Sequence, residues 1–321
     1  MEQPNRPLIS LVVPCFNEAE VFPRLRRELT ALADRLQSKY AVEFVLVDDG
    51  SHDSTWAQIA DFAKADPRVA GISLSRNFGH QMALTCGYDL AGGDAVVCLD
   101  ADLQDPPDVV PQMIEKWEQG ADIVYGVRNH RQGESAFKLW TAAAFYRLFQ
   151  RYGQPNAPVD AGDFRLMSRR AVEAFRQLHE QHRYVRGMVG WLGYETATVS
   201  YDRQPRTAGT TKYPLARMLA FASDALVSFS SFPLRLAYYL AFLSSATVLG
   251  YLLYTLAKYL LFGTELVRGW TSLILAIAIF GFSTLVSLGI IGEYVGRLYE
   301  QSKNRPLYLI REVAGRRPAK N

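Results

Sequence analysis

The sequence predicts a mixed α/β fold, a Rossmann-like, mostly parallel sheet with helices on both faces, followed by a pair of membrane-spanning helices. Three observations carry this. Short β-rich runs alternate with helical ones from Leu8 to Val127. Clusters of Asp, Asn, Glu and Gly stand where several of those runs end. Two long charge-free segments follow later in the chain.

The elements read in order as follows. Leu8 to Val13 is a β-rich run closed by Pro14. Glu18 to Gln37 places Val21, Leu25, Leu29, Leu32 and Leu36 at helical spacing. Val42 to Val47 is a second strand, ending in Asp48-Asp49-Gly50-Ser51. Thr55 to Ala65 is helical, Val69 to Leu74 a third strand, Gln81 to Leu90 helical, and Ala95 to Leu99 a fourth strand. Pro111 to Gln119 is helical, and Ile123 to Val127 is a fifth strand. Alternation of this kind makes a parallel sheet covered on both faces. Ligands of such sheets bind beyond the carboxyl ends of the strands.

The pattern then loosens. Glu134 to Tyr152 reads as an amphipathic helix rich in aromatics, and Val159 to Met167 and Glu195 to Tyr201 as further strands. Leu215 to Phe232 is apolar but interrupted by Arg217, Ser223 and Asp224. It reads as a helix lying on a membrane surface, with a buried helix of the soluble domain as the alternative.

Leu236 to Ala257 runs 22 residues without a charge, and Trp270 to Gly292 runs 23. Each is long enough to cross about 30 Å of hydrocarbon. Basic residues crowd the outer flanks: Arg203, Arg206, Lys212, Arg217 and Arg235 before the first, and Arg297, Lys303, Arg305, Arg311, Arg316, Arg317 and Lys320 after the second. By the positive-inside rule both flanks face the cytoplasm. The expected organisation is a cytoplasmic α/β domain over residues 1–213, an interface helix over 214–232, a membrane hairpin over 233–295 and a basic cytoplasmic tail over 296–321. Met1 to Arg6 leads into a strand rather than a long apolar run, so no signal peptide is expected.

Composition narrows the function. A net charge of +3 is too weak for a nucleic-acid binder. Cys15, Cys86 and Cys98 have no metal-knuckle spacing and no pairing pattern, which fits a reducing compartment.

The chemistry concentrates at the strand ends. Asp100-Ala101-Asp102-Leu103-Gln104 follows the fourth strand. Two carboxylates one residue apart in one cleft repel each other unless a cation lies between them. Oxygen donors of this kind suit Mg²⁺ or Mn²⁺ held together with phosphates. Asp100-x-Asp102 alone would pass for a solvated turn. Val13-Pro14-Cys15-Phe16-Asn17-Glu18 and Asp48-Asp49-Gly50-Ser51 would each pass for a turn or helix cap. All three in this order are more specific.

With Arg76-Asn77-Phe78-Gly79, Asp100 to Pro107 and Asp163-Phe164-Arg165-Leu166 added, the chain resembles a family 2 glycosyltransferase with a GT-A fold. Within that family it is most similar to the polyprenyl-phosphate glycosyltransferases, among them the GtrB-type bactoprenol glucosyltransferases and dolichyl-phosphate mannose synthase. The resemblance implies a donor site in which Pro14, Phe16, Asn17 and Glu18 hold base and ribose, with Asp48 or Asp49 on the nucleotide. Arg76, Asp100 and Ala101 complete it. Asp100, Asp102 and Gln104 would place Mg²⁺ or Mn²⁺ on the diphosphate. Arg128 and Arg131 would bind the acceptor phosphate or donor diphosphate. Lys212, in Thr210-Thr211-Lys212-Tyr213, resembles the family's Ser-Lys motif near the phosphates, with Thr211 in place of Ser. Asp160 and Asp163 are both candidates for the catalytic carboxylate.

The implied reaction moves a sugar from a nucleotide-sugar, UDP-glucose first, to undecaprenyl phosphate with inversion. GDP-mannose with dolichyl phosphate, or another UDP-sugar donor, is the alternative. A processive polysaccharide synthase is a different class, expected to carry more spans and a Gln-x-x-Arg-Trp motif, which this sequence lacks. The resemblance also implies a homo-oligomer, a tetramer, and the weak net charge implies no nucleic-acid partner.

Overall fold

A computed structural model describes residues 6–128, 161–202, 232–262 and 269–316. The aromatic helix at 134–152, the surface helix read over Leu215 to Phe232 except Phe232 itself, and Asp160, Arg131 and Lys212 lie outside the described residues. The chain divides into two compact units, one holding the α/β fold together with the chain after residue 304, the other holding the apolar helices.

The first unit is built on an eight-stranded sheet. Its strands are β1 (Leu8–Cys15), β2 (Ala41–Asp48), β3 (Val69–Leu74), β4 (Ala95–Cys98), β5 (Ile123–Arg128), β6 (Ala161–Ser168), β7 (Thr196–Tyr201) and β8 (Ile310–Gly315). Their order is β7-β5-β6-β4-β1-β2-β3-β8. The β3-β2-β1-β4 block is parallel throughout, while β6 and β8 run against their neighbours. This is the mostly parallel GT-A sheet that the sequence predicts. The two later strands read from the sequence are present as β6 and β7.

Burial explains the pattern. β1, β2 and β3 are buried along nearly their whole length, because both faces are covered. On one face Ile9, Leu11, Val13, Phe44 and Leu46 share a core with Phe22, Leu25, Leu29, Leu32 and Leu36 of α1 (Phe22–Leu36) and with Ile59 and Phe62 of α2 (Thr55–Ala65). α1 begins later than its apolar spacing suggests, with a proline in its first turn where the missing N–H costs nothing. On the other face α3 (His80–Leu90) approaches β1 so closely that a Cβ on Gly87 would lie 2.2 Å from Val12 Cγ1. α4 (Val110–Glu118), α5 (Arg169–Arg176) and α6 (Val185–Trp191) complete the layers. Neither α5 nor α6 was expected from the periodicity, both being two turns or so in length.

The second unit contains α7 (Phe232–Phe262) and α8 (Trp270–Ser302), 31 and 33 residues long. Both hold stretches long and apolar enough to cross a membrane, Ala237–Leu261 and Ala276–Ser302. Of the most apolar window in each, 6% and 0% is buried, whereas the core helix of a soluble domain would be mostly covered. The two helices meet through small polar residues: the Ser244 and Ser283 hydroxyls are 2.5 Å apart, and Ser287 Oγ donates to the Ala237 carbonyl at 3.4 Å. Small residues at such a seam are typical of membrane helix pairs.

The structure differs from the expected organisation after residue 295. α8 continues to Ser302, and the segment read as a plain basic tail contributes β8, paired antiparallel to β3. Its residues are largely exposed and do not alternate, so no strand period was visible.

Candidate active site

The site lies where β1, β2 and β4 end. Pro14 lies two residues beyond the β1–β4 ladder, which closes at Val12 and Cys98, and is in register with Val47 of β2. The chain then turns through Asn17 in the left-handed region, at φ 54°. Asn17 N donates to Ser51 Oγ at 2.9 Å, and Asn17 Oδ1 accepts from His52 N at 2.9 Å. Glu18 N donates to Thr55 Oγ1 at 2.9 Å. The β1–α1 loop is therefore stitched to the β2–α2 loop. Phe16 stands exposed beside it, its ring edge-on to His52 with centroids 6.4 Å apart. An exposed aromatic at a strand end offers a face on which a base can stack.

The two aspartates after β2 have separate structural jobs. Asp48 Oδ1 accepts from Ser51 N at 3.2 Å, and Oδ2 from Ser73 Oγ at 3.0 Å. Asp49 accepts from Phe78 N and Gly79 N at 2.8 and 2.9 Å, which fixes the β3–α3 loop. Both are buried and hold loops in place. Gly50, at φ 68°, packs directly on that loop: a Cβ would lie 2.4 Å from the Arg76 carbonyl carbon. Arg76 lies over the Phe78 ring, 4.0 Å from its centroid.

The acidic turn after β4 is strained. Leu103, a buried non-glycine residue, has φ 54°. That conformation brings Gln104 N to Asp102 Oδ1 at 3.1 Å. Ala101 is buried beneath the turn. Burial, reinforced by Asp163, Asp105 and Asp102, pushes the Asp100 carboxyl up to about 6 against the pull of His80. A nearby cation would therefore favour the charged form of Asp100. Gln104 Oε1 is buried with no hydrogen-bond partner. Among the described residues no three His, Cys, Asp or Glu side chains converge into a metal cluster. The donors present are two carboxylates and one amide oxygen. They fit a hard cation that takes its other ligands from water and a diphosphate.

Asp163, on β6, faces the same turn. It is 4% exposed and accepts from Arg165 Nη2 at 2.8 Å and from Arg186 Nε and Nη2 at 3.1 and 2.9 Å. His80 Nε2 lies 3.5 Å from Asp163 Oδ2 and 3.9 Å from Asp100 Oδ1. Burial alone would raise Asp163, but Arg186, His80 and Arg165 outweigh it and hold the carboxyl well below the usual range. Asp163 is thus a permanent anion and a poor proton acceptor.

Arg128, at the end of β5, is positioned from below. Its Nη2 reaches Asp105 Oδ1 at 3.3 Å, and Asp105 also accepts from Tyr201 Oη at 2.5 Å. Arg128 Nε in turn donates to Tyr201 Oη at 3.3 Å. The structure thus brings together Pro14, Phe16, Asn17, Glu18, Asp48, Asp49 and Arg76 on one side. On the other it gathers Asp100, Ala101, Asp102, Gln104, Arg128 and Asp163. Sequence reasoning missed Arg186 and Tyr201. Arg186 sits on a short helix inside an unremarkable Arg183-Tyr184-Val185-Arg186 run, and Tyr201 is the last residue of an edge strand.

The acidic turn, the exposed aromatic and the arginines thus gather at the carboxyl ends of one α/β sheet, where ligands of such sheets bind. The model for glycosyl transferase family 2 matches residues 10–176, and the chain belongs to that family. The relatives extend beyond that domain. A bactoprenol glucosyl transferase of Shigella phage SfV is 40% identical, over 94% of this chain and 98% of its own. The prophage bactoprenol glucosyl transferase homolog of Escherichia coli K12 is 39% identical, over 95% and 99%. The uncharacterized glycosyltransferase YkcC of Bacillus subtilis is 44% identical, over 95% and 94%.

Proposed function

We propose that the protein transfers glucose from UDP-glucose to the phosphate of undecaprenyl phosphate, with inversion, at the cytoplasmic face of a membrane. The observation that carries this reading is the union, in one chain, of a glycosyltransferase site and two uncovered apolar helices. The full-length relatives named for bactoprenol support the acceptor. A soluble acceptor gives no physical reason for such an anchor, whereas a polyprenyl phosphate keeps its tail in lipid and offers its headgroup at the surface.

Topology supports the cytoplasmic placement. The chain leaves the α/β domain before α7 and re-enters the same domain as β8 after α8. Two crossings would return it to one side, and the basic flanks in the sequence favour the cytoplasm for that side.

The chemistry needs little proton transfer. A phosphate monoester has a second pKa of about 6, so the attacking oxygen is already largely ionised near neutrality. Asp163, held anionic by two arginines, fits an orienting role: it fixes Arg186 and His80 at the edge of the acidic turn. Asp100, Asp102 and Gln104 would hold Mg²⁺ or Mn²⁺. Such an ion, when bound, neutralises charge on the departing diphosphate. Arg128 adds a second positive charge, with Arg131 and Lys212 proposed to join it. Stabilising the charge that builds on the leaving group lowers the barrier more than any other single effect in this type of transfer.

The test incubates purified protein with Mn²⁺ or Mg²⁺, undecaprenyl phosphate and labelled nucleotide-sugars, and counts label entering the organic phase. UDP-glucose should label the lipid, and Asp102→Ala should not. Labelling from another donor would replace the sugar. Polymer formation without lipid labelling would overturn the acceptor.

A further inference from the structure

We propose that β8, the strand that follows the apolar hairpin, takes part in donor binding, and that Arg311 is a positioning residue for the nucleotide. The proposal rests on the reading of the β1–α1 and β2–α2 loops as the nucleotide cradle.

The geometry is a continuous relay. Arg311 Nη2 donates to Ser73 Oγ at 2.8 Å. Ser73 Oγ donates to Asp48 Oδ2 at 3.0 Å. Asp48 Oδ1 accepts from Ser51 N at 3.2 Å, and Ser51 Oγ accepts from Asn17 N at 2.9 Å. Asn17 Oδ1 then accepts from His52 N at 2.9 Å, beside the exposed ring of Phe16. Ser73 and Asp48 are both wholly buried.

Arg311 reinforces the polarity of this chain, which the Asp48 carboxylate already favours. A guanidinium only donates, so the serine hydroxyl that receives it commits its single proton to the next acceptor. Without Arg311 the Ser73 oxygen loses the charged donor that fixes its place, while its hydroxyl still faces Asp48. The carboxylate beneath the Ser51 amide is then held less firmly, and the loop carrying Asn17 and Phe16 loosens.

Local structure places Arg311 for this task. In the β3–β8 ladder Ser73 pairs with Glu312 and Leu74 with Ile310, so Arg311 is the extra residue of a bulge. Bulges re-aim side chains. The strand and its flanks are tied down by side-chain and backbone bonds. Tyr308 Oη donates to Asp89 Oδ2 at 2.9 Å, Trp56 Nε1 to Glu312 Oε2 at 3.1 Å, and Ser75 N to the Leu309 carbonyl at 2.8 Å. At the far end Arg316 Nη1 lies 3.3 Å from the buried Glu43. A bulge by itself also suits a strand that only shields the sheet edge, so the contact with the buried Ser73 carries the argument.

The test uses full-length protein in detergent and compares wild type with Arg311→Met, Arg311→Lys, Ser73→Ala and the Arg311→Met/Ser73→Ala double variant. It measures nucleoside-diphosphate affinity by calorimetry, using whichever of UDP and GDP the wild type binds, together with donor KM, kcat and melting temperature. Arg311→Met and Ser73→Ala should each weaken the nucleotide a few-fold to roughly tenfold. Donor KM should rise in step while kcat holds, Arg311→Lys should recover part of the loss, and the double variant should be no worse than the single ones. Unchanged affinity with a lowered melting temperature would reduce β8 to an edge cover and overturn the proposal, as would additive effects. A wild type that binds nucleotide but labels no lipid refutes the proposed acceptor and leaves the relay intact. A wild type that binds neither nucleotide refutes cradle and relay together.

Discussion

Arg186 grips Asp163 with two parallel bonds, Nε to Oδ1 at 3.1 Å and Nη2 to Oδ2 at 2.9 Å, while Arg165 takes Oδ1 from the buried side at 2.8 Å. Removing the carboxylate strands a wholly buried guanidinium. Asp163→Asn should therefore cost about 3–5 kcal/mol of stability. It should also lower kcat by roughly a hundredfold, through misplacement of Arg186 and His80. Arg186→Lys should recover little activity, because an ammonium cannot make the paired contact. Denaturant melts and single-turnover rates check both effects.

Gly50→Ala should damage the donor site directly. The position has φ 68°, and the new methyl would lie 2.4 Å from the Arg76 backbone. The strain alone is on the order of 1–3 kcal/mol, and relief requires moving the loop that holds Arg76. A sharp rise in donor KM, read by initial rates across donor concentration, is the expected outcome.

Tyr201→Phe should loosen Arg128 without unfolding the domain. It removes the 2.5 Å bond to Asp105 and the 3.3 Å acceptor for Arg128 Nε, and keeps the ring packed edge-on against Phe164. A drop in kcat/KM of about tenfold, with an unchanged circular dichroism spectrum, would match the loss of one or two hydrogen bonds to a charged group.

Acid should unfold the α/β domain partly through Asp122, remote from the chemistry. Burial raises this carboxyl, but Arg170 and Ser168 outweigh it and lower its pKa overall. A carboxyl depressed in the folded state adds stability that is complete above its unfolded value of about 3.9 and fades as pH falls through the folded value. Asp122→Asn should flatten stability against pH below about 4 and leave activity at neutral pH nearly intact. Chemical denaturation across a pH series reads this slope.

The amino-acid sequence by itself determined the alternation of elements from Leu8 to Val127, the acidic and Gly-bearing clusters at the strand ends, and the two apolar helices. Each is a local signal: period, charge-free length, or residue type at a turn. It also placed Asp100, Asp102 and Gln104 in one turn, because they are neighbours in the chain. Only the tertiary structure decided what long-range pairing controls. It showed that Asp48 and Asp49 hold different loops, that Asp163 is neutralised by Arg186 from a short helix, and that Asp105 and Tyr201 support Arg128. It also turned the segment after the second apolar helix into a strand beside β3, joined to Asp48 through Ser73. Exposed edge residues and single arginines carry no periodicity. Their partners are set by which strands pair, and no local spacing encodes that choice.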